Sequence, residues 1–402
     1  EQIKEEARRR GATLVEYFVS EDRLFVWVVT PQGGVHAALS PVGRAELTSL
    51  VERMRAALNV DAAARDWAAP DRDGEDKPSR SVAGAARARP RPADVRQVLR
   101  RLYDVLVLPV QGWLPRRADR VVTVVPHGPL FLVSFAALLD GRGRYLVERH
   151  TLSYTPSIGV LSHLDARRRR TAPGDLRVLV VGNPAMPPLP GRKRKPASLP
   201  GAEAEVQAIK RLYPASRVTS LTGPAADERR VRELAPAHSI VHLATHGFIR
   251  DDEPQESLLA LAPSPHGSGQ PPPDGDGLLT VQEVSEMSLR ADLVVLSGCN
   301  TGLGRVSGDG VIGLARAFVQ AGAPDVLASL WRVADVLTHP HMEHFHRALR
   351  QPGGHPADAL RRAQLATIRD LRARRHRMPS GAVVPELPTY WAAFVLLGGG
   401  RD

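Results

Sequence analysis

Apolar positions along the chain fall into runs whose spacing switches between two periods. Thr13-Leu-Val-Glu-Tyr-Phe-Val19 and Arg23-Leu-Phe-Val-Trp-Val-Val29 are dense in β-branched and aromatic residues. Ser20-Glu-Asp22 separates them and Pro31-Gln-Gly-Gly34 follows. This composition predicts strands and hairpin turns over residues 13 to 38. Leu47, Leu50, Val51, Met54 and Leu58 then recur at helical spacing, as do Val95, Val98, Leu99, Leu102 and Leu106. Between these helices, residues 62 to 93 consist mostly of Ala, Arg, Pro, Asp and Gly without periodicity, which predicts a flexible, protease-sensitive insert.

Beyond residue 120 the pattern alternates. Arg120-Val-Val-Thr-Val-Val-Pro126 reads as a buried strand and Ile158 to Arg168 as a helix. Leu176 to Asn183 is an apolar strand, followed by a Pro-rich loop over 184 to 200 and a helix from Glu203 to Tyr213. A short strand at Val218 to Leu221, a helix at Asp227 to Leu234 and a strand at Ser239 to Thr245 come next. After a Pro/Gly/Asp loop at 263 to 277, a short helix is expected at Leu279 to Ser285. An apolar strand from Ala291, a helix from Val311 to Ala321 closed by Gly322, and a strand at Val326 to Trp331 follow. Helices at 336 to 350 and 357 to 375 and a closing run, Trp391 to Leu397, complete the chain. Near-continuous apolar strands alternating with helices predict an α/β fold: a mostly parallel sheet covered by helices on both faces.

Length and composition narrow the function. The 402 residues exceed one ordinary core. No apolar run approaches the roughly 18 residues that span a bilayer, so no membrane association is expected. With one cysteine and no visible signal peptide, a reducing cytoplasmic setting is expected. Because the chain opens on Glu1, further sequence upstream is expected. The formal net charge is +11. The excess lies in runs such as Arg167-Arg-Arg-Arg170, Arg192-Lys-Arg-Lys195 and Arg372-Ala-Arg-Arg-His-Arg377. No aromatic residues interleave with them, so they read as solvated surface, and no direct nucleic-acid contact is expected.

The candidate chemistry sits at two strand ends. Ser239-Ile-Val-His-Leu-Ala-Thr-His246-Gly247 and Asp292-Leu-Val-Val-Leu-Ser-Gly-Cys299-Asn-Thr-Gly302 each run apolar and stop at a reactive residue beside glycine. In open parallel sheets, ligands bind at the carboxyl ends of strands. A lone cysteine with a histidine about 50 residues upstream is a nucleophile-and-base pattern. Cys299 as thiolate would attack a carbonyl, His246 would take and return the proton, and the backbone N–H groups of Gly247 and Cys299 would hold the oxyanion. A core thiol is the alternative, but Cys299 lies beyond the apolar run. His242, four residues before His246 on a strand, is too far from it to share a metal and reads as a core or supporting histidine. His339, His341, His344 and His346 cluster without a cysteine or a nearby carboxylate, so no metal is expected there. Gly302 to Gly310 lacks the Gly-Lys-Ser/Thr of a phosphate loop and reads as a mobile loop beside the nucleophile. No cofactor is expected.

The ordered motifs His-Leu-Ala-Thr-His246-Gly, Leu278-Leu-Thr, the Cys299 segment, Gly308-Asp-Gly-Val-Ile-Gly-Leu-Ala-Arg-Ala-Phe and Ser329-Leu-Trp-Arg-Val-Ala-Asp335 resemble the CHAT domain. Val125-Pro-His-Gly-Pro-Leu and Tyr390-Trp-Ala-Ala-Phe-Val-Leu match its other landmarks. The family is related to caspases, gingipains and separase. The resemblance implies a caspase-like three-layer sandwich with a mostly parallel sheet, preceded by a degenerate caspase-like α/β unit. Residues 1–61 and 94–172 would form that unit, interrupted by the 62–93 insert, and residues 173–402 the active domain. It implies a cysteine endopeptidase using a Cys299–His246 dyad through a thioester acyl-enzyme on an extended protein or peptide substrate. Tetratricopeptide-type repeats often precede such domains, and some relatives act in bacterial defence or programmed death once a partner activates them. Asp335 resembles the separase aspartate that lines a pocket for a basic residue on the amino side of the cut. The competing reading of Asp335 is a cap for the helix near Val336. Asp252 and Ser297 are the further pocket candidates. The alternative for the whole chain is a non-catalytic CHAT scaffold or interaction domain.

Overall fold

The computed structural model describes residues 1–58, 92–168, 176–250, 253–265, 273–298, 305–307, 310–331, 335–378 and 380–398. At 92, 273, 305–307, 310–312 and 335–336 it describes the backbone alone. Most of the expected insert, Cys299 and Asp252 therefore lie outside the described residues.

Eleven strands form one sheet. They are β1 (Thr13–Val19), β2 (Leu24–Val29), β3 (Val35–Ser40), β4 (Val121–Val125), β5 (Thr151–Tyr154), β6 (Val178–Pro184), β7 (Val218–Gly223), β8 (Ile240–Ala244), β12 (Leu293–Leu296), β15 (Asp325–Ser329) and β16 (Phe394–Gly398). Their order is β3-β2-β1-β4-β5-β16-β15-β12-β8-β6-β7. The β1–β2–β3 meander is antiparallel, β4 and β5 continue parallel to β1, and β6, β7, β8, β12 and β15 are mutually parallel. β16 joins the two groups, running antiparallel to β15 and parallel to β5. The central strands are mostly apolar and buried on both faces, as βαβ crossovers require, with His242, Asp325 and Ser329 as buried polar exceptions.

Helices cover both faces, giving three layers. On one side α2 (Arg44–Ala57), α3 (Pro92–Leu106), α5 (Pro200–Leu212), α9 (Asp335–Leu349) and α10 (Pro356–Arg372) share one continuous core. On the other side α6 (Glu228–Leu234), α7 (Val281–Glu286) and α8 (Leu314–Ala321) pack against Val241, Leu243, Val294 and Leu296. Also on that side, α1 (Gln2–Arg10) and α4 (Ile158–Arg167) meet over Leu14, Val29 and Val125. Adjacent strand residues point to opposite faces, so each central strand serves two cores at once. The architecture is the expected α/β three-layer sandwich.

Two smaller sheets stand at the carboxyl edge. β9 (Gly247–Phe248), β10 (Leu258–Ala260) and β11 (Leu278–Thr280) form one, in the order β11-β10-β9. β13 (Arg305–Ser307) and β14 (Gly310–Ile312) form a hairpin. The helix expected from Val311 accordingly begins only at Leu314, because residues 310–312 pair with β13. Gly322 does end that helix, at φ 124°, where a Cβ would press on the Leu289 carbonyl.

Candidate active site

β8 and β12 lie side by side in parallel, with Leu293 opposite Ile240 and Leu296 opposite Leu243. Ser297 continues the ladder by donating its N–H to the Leu243 carbonyl at 2.9 Å. Beyond the strand ends β8 turns sharply. The buried Thr245 hydroxyl donates to the Ala260 carbonyl at 2.5 Å, and the Ala260 N–H donates to the His246 carbonyl at 2.9 Å. β10 therefore holds the Thr245 hydroxyl on one side of the His246 side chain and the His246 carbonyl on the other.

The His246 ring is half-buried and stacks on Phe248, centroids 5.8 Å apart. Its Nε2 lies 2.9 Å from the Ala197 carbonyl oxygen. A carbonyl only accepts, so Nε2 carries a proton, and in the neutral ring the lone pair is then on Nδ1. That tautomer makes Nδ1 the basic nitrogen. The Pro-rich loop at 184 to 200, which carries Ala197, thus supplies the orienting group; nothing in its composition marks a carbonyl for that task.

The geometry around Gly247 is equally specific. His246 and Ala260 form a hydrogen-bonded pair, so the next pair, Gly247 and Leu259, is of the non-hydrogen-bonded kind. The Gly247 N–H consequently points away from β10, at the open edge of the small sheet. On the neighbouring strand, the Ser329 hydroxyl donates to the Gly298 carbonyl at 2.5 Å, anchoring the turn just before position 299. Ser297 is 8% exposed, and its hydroxyl oxygen is buried with no hydrogen-bond partner among the described residues. α9 opens at Asp335 itself, one residue earlier than the sequence suggests; its side chain is not among those described.

His242 is wholly buried below the site. Its Nε2 contacts Glu205 at 2.6 Å and its Nδ1 contacts His346 Nε2 at 3.0 Å, while His346 Nδ1 meets the Tyr213 hydroxyl at 2.9 Å. Burial pushes the His242 pKa down to about 3 and holds His346 well below its usual value. His242 is thus a core histidine tying β8 to α5 and α9. Carboxylates do approach the α9 histidines, contrary to expectation: His344 lies 3.3 Å from Asp370 and His339 3.9 Å from Glu343. Helical spacing hid the first because Asp370 comes from α10. Even so, no three potential ligands gather around a metal position among the described residues.

The large, mostly parallel sheet between two helical layers is a caspase-like α/β fold. The yeast separase–securin complex of Saccharomyces cerevisiae contains the same fold: one determination matches with a TM-score of 0.60 at 11% identity, covering 100% of this chain and 31% of that one. A second determination gives 0.56, covering 99% and 31%. The chain belongs to the CHAT domain family, whose profile matches residues 96–399. Tetratricopeptide repeat protein 28 of Mus musculus and its Homo sapiens counterpart are each 29% identical over 341 residues. These matches take in 75% of this chain and 13% of the relatives, so the chain spans about an eighth of their length. Among the described residues, no helix is long and apolar enough to cross a membrane.

Proposed function

We propose that this chain is a cysteine endopeptidase whose Cys299 thiolate attacks a peptide carbonyl with His246 as proton carrier. One observation carries the reading. The parallel register that sets Leu293 opposite Ile240 and Leu296 opposite Leu243 brings the carboxyl ends of β8 and β12, which His246 and Cys299 follow in the sequence, to the same edge of the sheet. The Nε2–H tautomer of His246 supports it, since Nδ1 is then the nitrogen that takes the thiol proton. The thiolate adds to the scissile carbonyl, and the oxyanion is received by the Gly247 N–H, which points to the open edge, and by the Cys299 N–H. Collapse passes the imidazolium proton to the leaving amine and leaves a thioester. Water, losing its proton to His246, then releases the acid and regenerates the thiol. The expected division into a supporting N-terminal unit and an active domain from residue 173 is part of this proposal, as is activation by a bound partner.

Asp335 and Ser297 are the proposed pocket residues, with Asp252 a further candidate. The Ser297 hydroxyl, two residues before Cys299 and without a hydrogen-bond partner among the described residues, supports a hydrogen bond to bound peptide. Asp335 would pair with a basic side chain on the amino side of the cut.

Digestion of a diverse peptide library, read by mass spectrometry, tests both points. Wild type should cut after Arg or Lys, and Cys299→Ala should cut nothing. Asp335→Ala should lower cutting after basic residues roughly tenfold or more while sparing other sites. Cleavage surviving in Cys299→Ala refutes the dyad, and an unchanged profile in Asp335→Ala leaves that residue as the first of α9 with no part in the pocket.

A further inference from the structure

The orienting carbonyl of Ala197 belongs to a loop with no regular structure of its own, and the way it is held is specific. β6 contains a bulge. Gly182 pairs with Thr222 and Pro184 with Gly223, so Asn183 is the extra residue between them, at φ 46°. Bulges re-aim a side chain and are common beside functional sites. Here the amide of Asn183 turns toward the start of α5. Its Oδ1 accepts the Leu199 N–H at 2.7 Å, and its Nδ2 donates to Glu203 Oε2 at 2.9 Å. The partners fix the amide orientation, because an N–H only donates and a carboxylate only accepts. Leu199 is the residue that opens α5, two positions after Ala197. The preceding Gly182 permits the approach: a Cβ there would lie 2.5 Å from Val206 and 2.8 Å from the Ala202 carbonyl.

We infer that Asn183 is a positioning residue for His246, acting through the Leu199 N–H and the Ala197 carbonyl. The inference rests on the peptidase reading above. The carbonyl of Ala197 favours the protonated ring, since it accepts the Nε2–H of both neutral and charged imidazole and does so more strongly for the cation. A loop that drifts would release the tautomer and destabilise the imidazolium on which the thiolate pair depends.

Asn183→Gly is the sharpest variant, because glycine accepts the positive φ and removes only the amide. Its kcat on a peptide chosen from the library should fall about tenfold with KM unchanged. The alkaline limb of its pH profile should move to lower pH by about half a unit. Asn183→Asp should fail likewise, since it sets a carboxylate against Glu203. Asn183→Asp combined with Glu203→Gln restores an acceptor for Leu199 and an amide–carboxylate pair of reversed polarity, and should recover activity. Wild-type kcat and an unmoved limb in Asn183→Gly overturn the inference while the peptidase reading stands. So does failure of the double variant to recover when its melting temperature equals that of wild type. Absence of Cys299-dependent cleavage by wild type overturns both.

Discussion

At the scale of single residues, a buried histidine makes stability depend on pH in the acid range. His341 is 1% exposed, stacks on Phe394 and contacts the Thr367 hydroxyl at 2.9 Å. That hydroxyl already donates to the Ala363 carbonyl at 3.0 Å, so Nδ1 must be the protonated nitrogen. Nε2 then carries a buried lone pair with no partner among the described residues. Burial, with His344 nearby, pushes the His341 pKa down to about 3. The unfolded chain binds the proton near 6.5, so this contribution is fully present above pH 6.5 and is lost as pH falls towards 3. His341→Phe fits the stacked site and has nothing to protonate. We expect stability within about 1 kcal/mol of wild type at pH 7.5, where a lost hydrogen bond offsets a removed orphan atom. At pH 5 the variant should be more stable by roughly 2 kcal/mol. Urea unfolding at the two pH values measures this, and parallel pH dependence of both proteins would show that His341 titrates normally.

At the scale of elements, the small three-stranded sheet that carries Gly247 is hung from the N-terminus of α6. Asp227 caps that helix through Arg230 N–H at 3.1 Å and also receives the Ser264 hydroxyl at 3.0 Å. The Glu228 N–H donates to the Ala262 carbonyl, and its wholly buried carboxylate accepts the Gly277 N–H at 2.9 Å. Burial first, and Glu283 second, raise the Glu228 pKa to about 7. A raised carboxylate contributes stability that is complete below pH 4.5 and lost as pH rises through 7. Glu228→Gln keeps an acceptor for Gly277 and cannot ionise, so thermal melts should show it more stable by up to about 3 kcal/mol at pH 8 and equal to wild type at pH 4. Equal melts at pH 8 would mean that Arg232 fully compensates the charge. Little of this arrangement was legible beforehand. β8, β12 and β15 declared themselves by near-continuous apolar runs, and the amphipathic helices by spacing. β5, only Thr-Leu-Ser-Tyr, did not, and neither did the two-residue β9, because such strands exist only through their neighbours. His246 stood out as a reactive residue beside glycine, whereas Ala197 and Ser329 act through contacts distant in sequence and look ordinary within it.

At the scale of the molecule, the two halves share one sheet and several cross-links. β16 comes from the end of the chain yet pairs with both β15 and β5. Arg168 reaches from the end of α4 to the fully buried Asp325 of β15 at 2.9 Å, and the Ser134 hydroxyl donates to the Ala392 carbonyl at 2.6 Å. The turn Gly128–Leu132, part of the Val125-Pro-His-Gly-Pro-Leu landmark, abuts the β13–β14 hairpin that follows position 299. The N-terminal half therefore completes the core beneath the candidate site and also borders the loop beside it. Removing it would uncover the β16 edge and the Trp391 pocket, where Tyr145 packs edge-on at 4.8 Å. We accordingly expect residues 1–402 to unfold in one calorimetric transition, and a chain cut to 176–402 to show no cooperative transition and to expose apolar surface to a hydrophobic dye. A fragment that melts cooperatively near the temperature of the whole chain would show instead that the sheet divides between β5 and β16, with the C-terminal half folding on its own.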